Sequence, residues 1–216
     1  MRMTEVLTVF ADATKLPPLL IFKGQPTPKG KPLALNSIEH DFKDYKDKKG
    51  YSYPRGVVYA VDPKGWHSQG VFDEVWVPRV WRQRPGQQGR LGGYRQPDAL
   101  LAWNDYTDYK TDASKKAMAK SNTTLFHIPG GLTPELQPCD GLVNKLFMEH
   151  MSRLYDDHVA SKHAKRDERS YPEVFSRGLV AQWVKRACDA LTPDGICSSW
   201  RKAGLLLPFG GSEDKA

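Results

Sequence analysis

At 216 residues the chain is long enough to bury a hydrophobic core as one domain. Lysine and arginine number 32 against 25 acids, and this net charge of +7 favours a polyanionic partner, although a solvated basic surface is about equally consistent with it. No apolar run reaches the roughly 18 residues of a membrane helix, and the three cysteines form no CxxC pair. The sequence therefore predicts a soluble intracellular protein with no membrane partner, no zinc site and no disulfide framework.

The first part of the chain predicts β-strands. Short runs rich in Val, Ile, Leu, Tyr and Phe lie at residues 6–10, 18–22 and 57–61. The first two are close enough along the chain to form a hairpin. The region between the second and third runs is polar and basic with several prolines, so we expect a surface loop there.

A helical pattern follows the third predicted strand. Apolar residues recur at helical spacing from Trp66 to Val80, and Pro78 should kink or shift this helix. Because its aromatic residues fall on one face beside a buried strand, we expect them in the core rather than on a base-stacking surface.

An arginine-rich loop is predicted next. Arg82, Arg84, Arg90 and Arg95 are interspersed with glycines, and no acid lies between Arg79 and Pro97. Arginines on such a segment can adapt to the repeated phosphates of DNA, which makes this loop the best candidate for a nucleic-acid contact. A solvated flexible loop is the competing interpretation.

The centre of the chain predicts a strand–helix–strand unit. Strands are expected at residues 98–103 and 123–128, separated by an amphipathic helix over 113–120. Thr111 or Asp112 can accept hydrogen bonds from the free amides of that helix. We expect all five predicted strands to form one mixed sheet.

Polar groups follow the central strands at positions suited to a site. Asn104 and Asp105 come directly after the 98–103 strand, and a proline- and glycine-rich loop leads to Asp140 at the start of a helix from Leu142 to about Val159. Open sheets place ligands at the carboxyl ends of their strands, so Asn104 and Asp140 should lie close together.

The remaining sequence predicts helices. The expected organisation is a main domain over 1–160, a charged linker or helix extension over 161–172, a C-terminal helical segment over 173–207 and a tail over 208–216.

Several of these segments resemble a known family. The sequences LLAWNDY at 100–106, IPGGLTPELQPCD at 128–140 and LVNKLF at 142–147 are similar to the core of the pogo/Tigger (Tc1/mariner-like) transposases of the DDE superfamily. Residues 7–24 and 198–204 are similar to that family's strand–turn–strand and closing helix. The resemblance implies an RNase H-like α/β fold, a nuclear location, DNA as partner, and Mg²⁺ or Mn²⁺ held by three carboxylates.

The sequence departs from the family pattern at two of the three carboxylates. Asn104 stands where the family has its second Asp, and Asp105 comes one residue late, on the opposite face of an extended strand. The first catalytic Asp is expected on an upstream strand, for which no acid among residues 1–6 fits, so the domain should be incomplete at its N-terminus. The family's usual N-terminal DNA-binding region has no counterpart here.

Asp140 alone is carried over in register as a catalytic and metal-binding residue. An N-cap of the helix that follows it is an equally plausible role.

Three functions remain open from the sequence. The favoured one is a transposase-derived, DNA-binding domain with a degenerate active site. The second is an active metal-dependent endonuclease completed by an upstream strand, and the third is a host-recruited protein-interaction module.

Overall fold

The computed structural model describes residues 2–35, 37–85, 98–104, 111–163 and 175–206. The chain is a mixture of helices and short strands, which confirms the predicted α/β class. The strands are β1 (Met3–Val6), β2 (Leu19–Lys23), β3 (Val58–Asp62), β4 (Ala99–Asn104) and β5 (Thr123–Ile128).

The helices fall into three groups along the chain. The first holds α1 (Glu39–Asp44), α2 (Gln69–Val71), a π-helix (Phe72–Trp76), α3 (Val77–Arg79) and a 3₁₀ helix (Trp81–Gln83). The second holds α4 (Asp112–Ala119), α5 (Thr133–Leu136), a second π-helix (Cys139–Val143) and α6 (Asn144–His163). The third holds α7 (Arg177–Ala190) and α8 (Pro193–Lys202).

The strands form two sheets, so within the described residues the prediction of one five-stranded sheet is wrong. In the first sheet β2 is central, antiparallel to β1 and parallel to β3. In the second sheet β4 and β5 pair in parallel over their full length. Among the described residues, strands β1 and β4 each have one pairing partner and do not pair with each other.

The central strand of the first sheet is buried on both faces. Leu19 to Phe22 are completely buried, and β3 beside them is buried throughout. Such continuous apolar runs are typical of strands covered by helices on both sides, which explains why the sequence predicted these two strands at nearly correct positions. Strand β1 lies at Met3–Val6 rather than at 6–10, because the predicted run continues only as an irregular hairpin with a bridge from Val9 to Lys15.

The helical segment over residues 69–83 covers one face of both sheets. Its side chains Phe72, Trp76, Val80 and Trp81 are almost fully buried, which confirms the prediction that the aromatic residues belong to the core. The segment is divided into short α, π and 3₁₀ turns, with Pro78 in the first turn of α3. This division matches the predicted disturbance of the helix by proline.

The C-terminal helices cover the opposite face of the first sheet. Ala181, Val184 and Cys188 of α7 join a core cluster with Leu20 and Phe22 of β2.

Three helices have N-cap residues of the expected type. Ser176 and Thr192 are the N-cap residues of α7 and α8, and their side chains accept hydrogen bonds from main-chain N–H groups three residues later. Thr111 caps α4 in the same way, as predicted.

Helix α6 extends through His163, so the first residues of the predicted 161–172 segment prolong that helix. The rest of that segment, to residue 172, lies outside the described residues.

Gly178 lies in the first turn of α7, where this helix packs closely against the turn at residues 47–51. A Cβ atom at Gly178 would lie 2.6 Å from the carbonyl oxygen of Tyr51 and 2.9 Å from a carboxylate oxygen of Asp47. The Gly178 N–H donates to that same carboxylate at 3.0 Å. Gly178 thus allows α7 to approach the 47–51 turn closely.

We predict that Gly178→Ala lowers the free energy of unfolding by about 1–3 kcal/mol, because the new methyl group must displace a main-chain carbonyl. Gly70→Ala is the matched control, since nothing lies within 4 Å of its added Cβ. The control should be neutral or slightly stabilising. Urea denaturation of the two variants measures the difference, and equal midpoints would contradict this view of α7 docking.

Candidate nucleic-acid and metal site

Asn104 is the last residue of β4 and is partly exposed. It lines a cavity of about 290 Å³ together with Gln137, Pro138 and Cys139. The structure thus places Asn104 and Cys139, the residue before Asp140, on the same cavity. The proximity of the Asn104 and Asp140 side chains stays a prediction. Asp105 lies outside the described residues.

Asp140 lies in the first turn of the second π-helix. Pro138 occupies the N-cap position of that helix, so the N-cap role considered for Asp140 is wrong. The carboxylate accepts a hydrogen bond from Asn144 Nδ2 at 2.7 Å, and the residue is exposed. Partial desolvation raises the pKa of Asp140, and the Asn144 hydrogen bond opposes that rise.

Asn104 and Asp140 are the described residues that the resemblance assigns to metal binding. Across the described parts of the chain, no three His, Cys, Asp or Glu side chains come together in a way that could hold a metal ion. Asn104 contributes a neutral amide oxygen, and Asp140 contributes a carboxylate that is already hydrogen-bonded to Asn144. Hard divalent cations require several oxygen ligands and charge compensation, so the described residues fit such a centre poorly.

The two described arginines of the predicted loop differ in exposure. Arg82 is exposed, whereas Arg84 is 2 % exposed. The Arg84 guanidinium donates to the carbonyl of Ser121 and lies 4.8 Å above the Trp81 ring, and burial lowers its pKa. Arg84 therefore connects the 3₁₀ helix to the turn before β5. Arg90 and Arg95 lie outside the described residues.

A tight turn after β3 is organised by Asp62. Its buried carboxylate accepts the N–H groups of Lys64 at 2.8 Å and Trp66 at 3.1 Å. Burial alone would raise the pKa of Asp62, but these donors outweigh it and the pKa is lowered. Gly65 has a φ of +73°, and a side chain there would press on the main chain of Lys23, so only glycine suits this position.

The turn presents an aromatic ring between two cations. Trp66 is 44 % exposed, and the charged groups of Arg2 and Lys64 each lie 5.5 Å from its ring centroid. We call Arg2, Lys23, Lys64 and Trp66 the basic edge. Because β2 and β3 end at Lys23 and Asp62, the basic edge lies at the carboxyl ends of these two strands.

His67 connects the basic edge to the end of β4. Its ring centroid lies 6.5 Å from that of Trp103, the neighbour of Asn104, and 6.2 Å from that of Trp76. Burial lowers the pKa of His67 to about 4, so the imidazole is neutral at pH 7. The positive charge at this end of the sheets therefore comes from the lysines and arginines.

Sequence reasoning missed the basic edge. Arg2 and Lys64 are about 60 residues apart in the chain and meet only because β1 pairs with β2 and β2 with β3. The local sequence does indicate the turn, since Asp62 followed by Gly65 is typical of a tight turn. It does not indicate that Arg2 lies beside that turn.

Comparisons with known proteins identify the family of this chain. The family model described as DDE superfamily endonuclease matches residues 1–200. Two curated relatives, both called "Pogo transposable element with KRAB domain", match 205 residues, or 95 % of this chain. The protein from Mus musculus is 27 % identical and that from Homo sapiens 26 %. The chain spans only 29 % of the length of these relatives. No solved structure matches it.

The chain belongs to the DDE superfamily endonuclease family, since the family model covers all but its last 16 residues. Within that family it is a pogo-like, transposable-element-derived domain, as its resemblance to pogo/Tigger transposases predicted. In the part of the chain that the structure describes, none of the helices has the length and apolar character needed to span a membrane.

We predict that His67 makes the fold sensitive to mild acid. Its pKa is about 4 in the folded protein and about 6.5 in an unfolded chain, so the unfolded state binds more protons between these values. Stability from the neutral imidazole is complete above about pH 6.5 and is lost as the pH falls towards 4. The loss should be on the order of 2–3 kcal/mol.

Urea denaturation at pH 7 and pH 4.5 measures this loss, with His67→Phe as the comparison because it keeps a ring in the aromatic cluster. The variant should lose less stability than the native chain over that range. An equal loss in both proteins would assign the acid sensitivity to other groups.

Proposed function

We propose that this chain is a DNA-binding domain of a transposase-derived nuclear protein and that it does not cleave DNA. The observation that carries the DNA-binding part is the basic edge, which places Arg2, Lys64 and exposed Trp66 together. The observation that supports the lack of cleavage is the neutral amide of Asn104 at the end of β4. Nuclear location is inferred from the family.

The basic edge has the chemistry of a phosphate-binding surface. Arg2, Lys23 and Lys64 supply three cations from three different segments, and the fixed turn after Asp62 holds Lys64 and Trp66 in place. Cations held on a rigid frame lose less conformational freedom when they bind than cations on a free loop. The indole ring offers in addition a flat surface on which an unpaired base can stack.

Contacts of this kind do not read sequence. Lysine and arginine groups that meet the phosphate backbone release counterions, so affinity falls steeply with salt and depends little on base sequence. Arg82 is exposed, but it follows Trp81, whose ring N–H donates to the first residue of β5, so it is a separate candidate contact at the other end of the strands from the basic edge. Arg84 is excluded from this proposal because its guanidinium is buried against Trp81 and Ser121.

The absence of cleavage follows from the charge of the metal ligands. Two divalent ions bring four positive charges, and of the two described positions carried over from the family only Asp140 supplies a negative charge. An amide oxygen can coordinate a cation without balancing its charge. Mg²⁺ or Mn²⁺ should therefore bind weakly, and the described residues do not hold two ions beside a phosphodiester.

We predict that the native chain binds a labelled DNA duplex weakly, with a dissociation constant of about 10⁻⁴–10⁻⁶ M at physiological salt. Arg2→Gln combined with Lys64→Gln should reduce the salt slope of the affinity by about one unit for each phosphate interaction that the substitutions remove. Fluorescence anisotropy between about 50 and 200 mM salt measures this slope. Adding Arg82→Gln tests whether the exposed arginine contributes a further unit.

Lys185→Gln is the matched control for charge. Lys185 lies 2.6 and 2.5 Å from the two carboxylate oxygens of Asp189, so its charge is already balanced within α7. This variant should keep the native salt slope. A slope that is unchanged in the Arg2 and Lys64 variants would contradict the proposed surface.

A second prediction concerns the metal ligands. Asn104→Asp adds a carboxylate at the end of β4 and should strengthen Mn²⁺ binding several-fold, because charge count is a principal determinant of divalent affinity. Isothermal titration with Mn²⁺ measures the change. Asn104→Ala is the control and should bind Mn²⁺ no more tightly than the native chain. Equal affinity of all three proteins would show that position 104 is not a metal ligand.

A further inference from the structure

A second cavity lies beside the basic edge. It has a volume of about 350 Å³ and is lined by Arg2, Lys23, Gly24, Gln25, Pro63 and Arg177. Arg2 and Lys23 of the basic edge therefore also line this cavity, and Arg177 adds a third cation from the first turn of α7. We call the cavity the anion pocket, because the described residues that line it include three cations and no carboxylate.

The main chain around the anion pocket is held by hydrogen bonds between neighbouring segments. The Lys23 N–H donates to the Arg2 carbonyl at 3.1 Å, and the Gly24 N–H donates to the Asp62 carbonyl at 3.0 Å. These bonds connect the start of β1, the end of β2 and the end of β3. The three segments therefore present their side chains to the pocket from fixed positions.

Arg177 lines the anion pocket from a helix that is itself fixed. The Gly178 N–H beside it donates to Asp47 at 3.0 Å, which holds the start of α7 against the 47–51 turn. One nitrogen of the Arg177 guanidinium lies 3.9 Å from a carboxylate oxygen of Asp41, and the Arg177 side chain is 37 % exposed. Because a guanidinium carries several N–H donors in a planar fork, this one long contact leaves donors for a ligand in the pocket.

The local charge favours a ligand with two negative charges. Arg2, Lys23 and Arg177 supply three positive charges, and Asp41 offsets one of them, which leaves an excess of two among these described groups. The nearby Asp62 carboxylate is buried and accepts main-chain N–H groups of the turn that follows it. A phosphate monoester carries about −1.5 to −2 at pH 7, whereas an internal phosphodiester of DNA carries about −1.

The shape of the anion pocket favours the end of a nucleic-acid strand. Its rim comes from four separate segments, namely the start of β1, the end of β2, the residue after β3 and the start of α7. An internal phosphate is continued by a sugar on both sides, so the strand would have to enter and leave this concavity. A terminal phosphate has a single ester link and can enter by its free end.

Trp66 lies next to the anion pocket. The Arg2 guanidinium lies 5.5 Å from the centroid of the Trp66 ring, and Arg2 also lines the pocket. A nucleotide whose phosphate lies in the pocket can thus place its base near the exposed indole ring, a surface on which unpaired bases stack.

We propose that the anion pocket binds the terminal phosphate of an unpaired DNA end. The phosphate monoester accepts hydrogen bonds from Arg2, Lys23 and Arg177, and the terminal base stacks on Trp66. This inference rests on the proposed function, because it assigns the strand end to the same region that binds duplex phosphates. It adds a preference for a terminal phosphate that internal phosphates do not satisfy.

Fluorescence anisotropy with internally labelled single-stranded DNA tests the proposal. One oligonucleotide carries a 5′-phosphate, a second carries a 3′-phosphate, and a third carries hydroxyl groups at both ends. We expect at least one phosphorylated form to bind about fivefold more tightly than the third, because charge-assisted hydrogen bonds to the monoester are strong. A hydroxyl-ended oligonucleotide that is one nucleotide longer controls for added charge and should bind within about twofold of the third.

Arg177→Gln should reduce the preference for the phosphorylated end to less than about twofold, because it removes one of the three cations of the pocket. It should leave the affinity for a hydroxyl-ended duplex within about twofold, because Arg177 is not part of the basic edge. Arg186→Gln is the matched control, since Arg186 is an exposed arginine of the same helix that does not line the pocket, and it should keep the preference. Lys23→Gln gives the same test of the preference if Arg177→Gln is poorly folded after Asp41 loses its partner.

Two results would overturn the proposal: neither phosphorylated end is preferred, or the preference survives in both Arg177→Gln and Lys23→Gln. Deoxyadenosine 5′-monophosphate that binds as tightly as the phosphorylated oligonucleotide would assign the pocket to a free mononucleotide and overturn the proposed DNA end. Duplex binding without an end preference would remove this inference alone. An end preference without duplex binding would remove the proposed duplex contact and support the pocket.

Discussion

A layer of stacked aromatic rings connects the two sheets. Trp76 lies 5.4 Å from Trp81 and 5.5 Å from Trp103, and Trp81 stacks in turn on Phe10. These contacts run from the β1 hairpin through the 69–83 segment to β4, and in the part of the chain that the structure describes no strand pairing joins β1 to β4. The relative position of the two sheets thus depends on side-chain packing, where a main-chain ladder would normally fix it.

The aromatic layer also positions the candidate site. Trp103 is held in the aromatic layer, and the next residue, Asn104, ends β4 and lines the cavity. Gln137, Pro138 and Cys139 line the same cavity and lead directly into Asp140.

The elements that the sequence predicted best are those whose signal is local. Strands β2 and β3 are buried on both faces and appear as plain apolar runs, and Thr111 caps α4 with the residue type expected there. Strand β1 was placed three residues too late because an edge strand with polar Thr4 and Glu5 carries a weak apolar signal. The division into two sheets has no sequence signal, since it depends on packing between distant segments.

The candidate site was predictable only in part for the same reason. Asn104 was found because it directly follows an apolar strand, whereas the grouping of Arg2, Lys64 and Trp66 requires knowledge of the strand order. Arg84 is a residue for which the local sequence gave a wrong prediction. Its place among arginines and glycines indicated a surface loop, but its aliphatic stem and guanidinium pack inside, against Trp81 and the Ser121 carbonyl.

The central claim is that the chain holds DNA but does not cut it. The most direct measurement incubates the native chain, at a concentration that saturates a labelled duplex, with Mg²⁺ or Mn²⁺ and separates the strands on a denaturing gel. The account predicts bound and intact DNA, identical to the result for Asp140→Ala. Cleavage by the native chain that disappears in Asp140→Ala would contradict the account and make Asp140 a catalytic ligand.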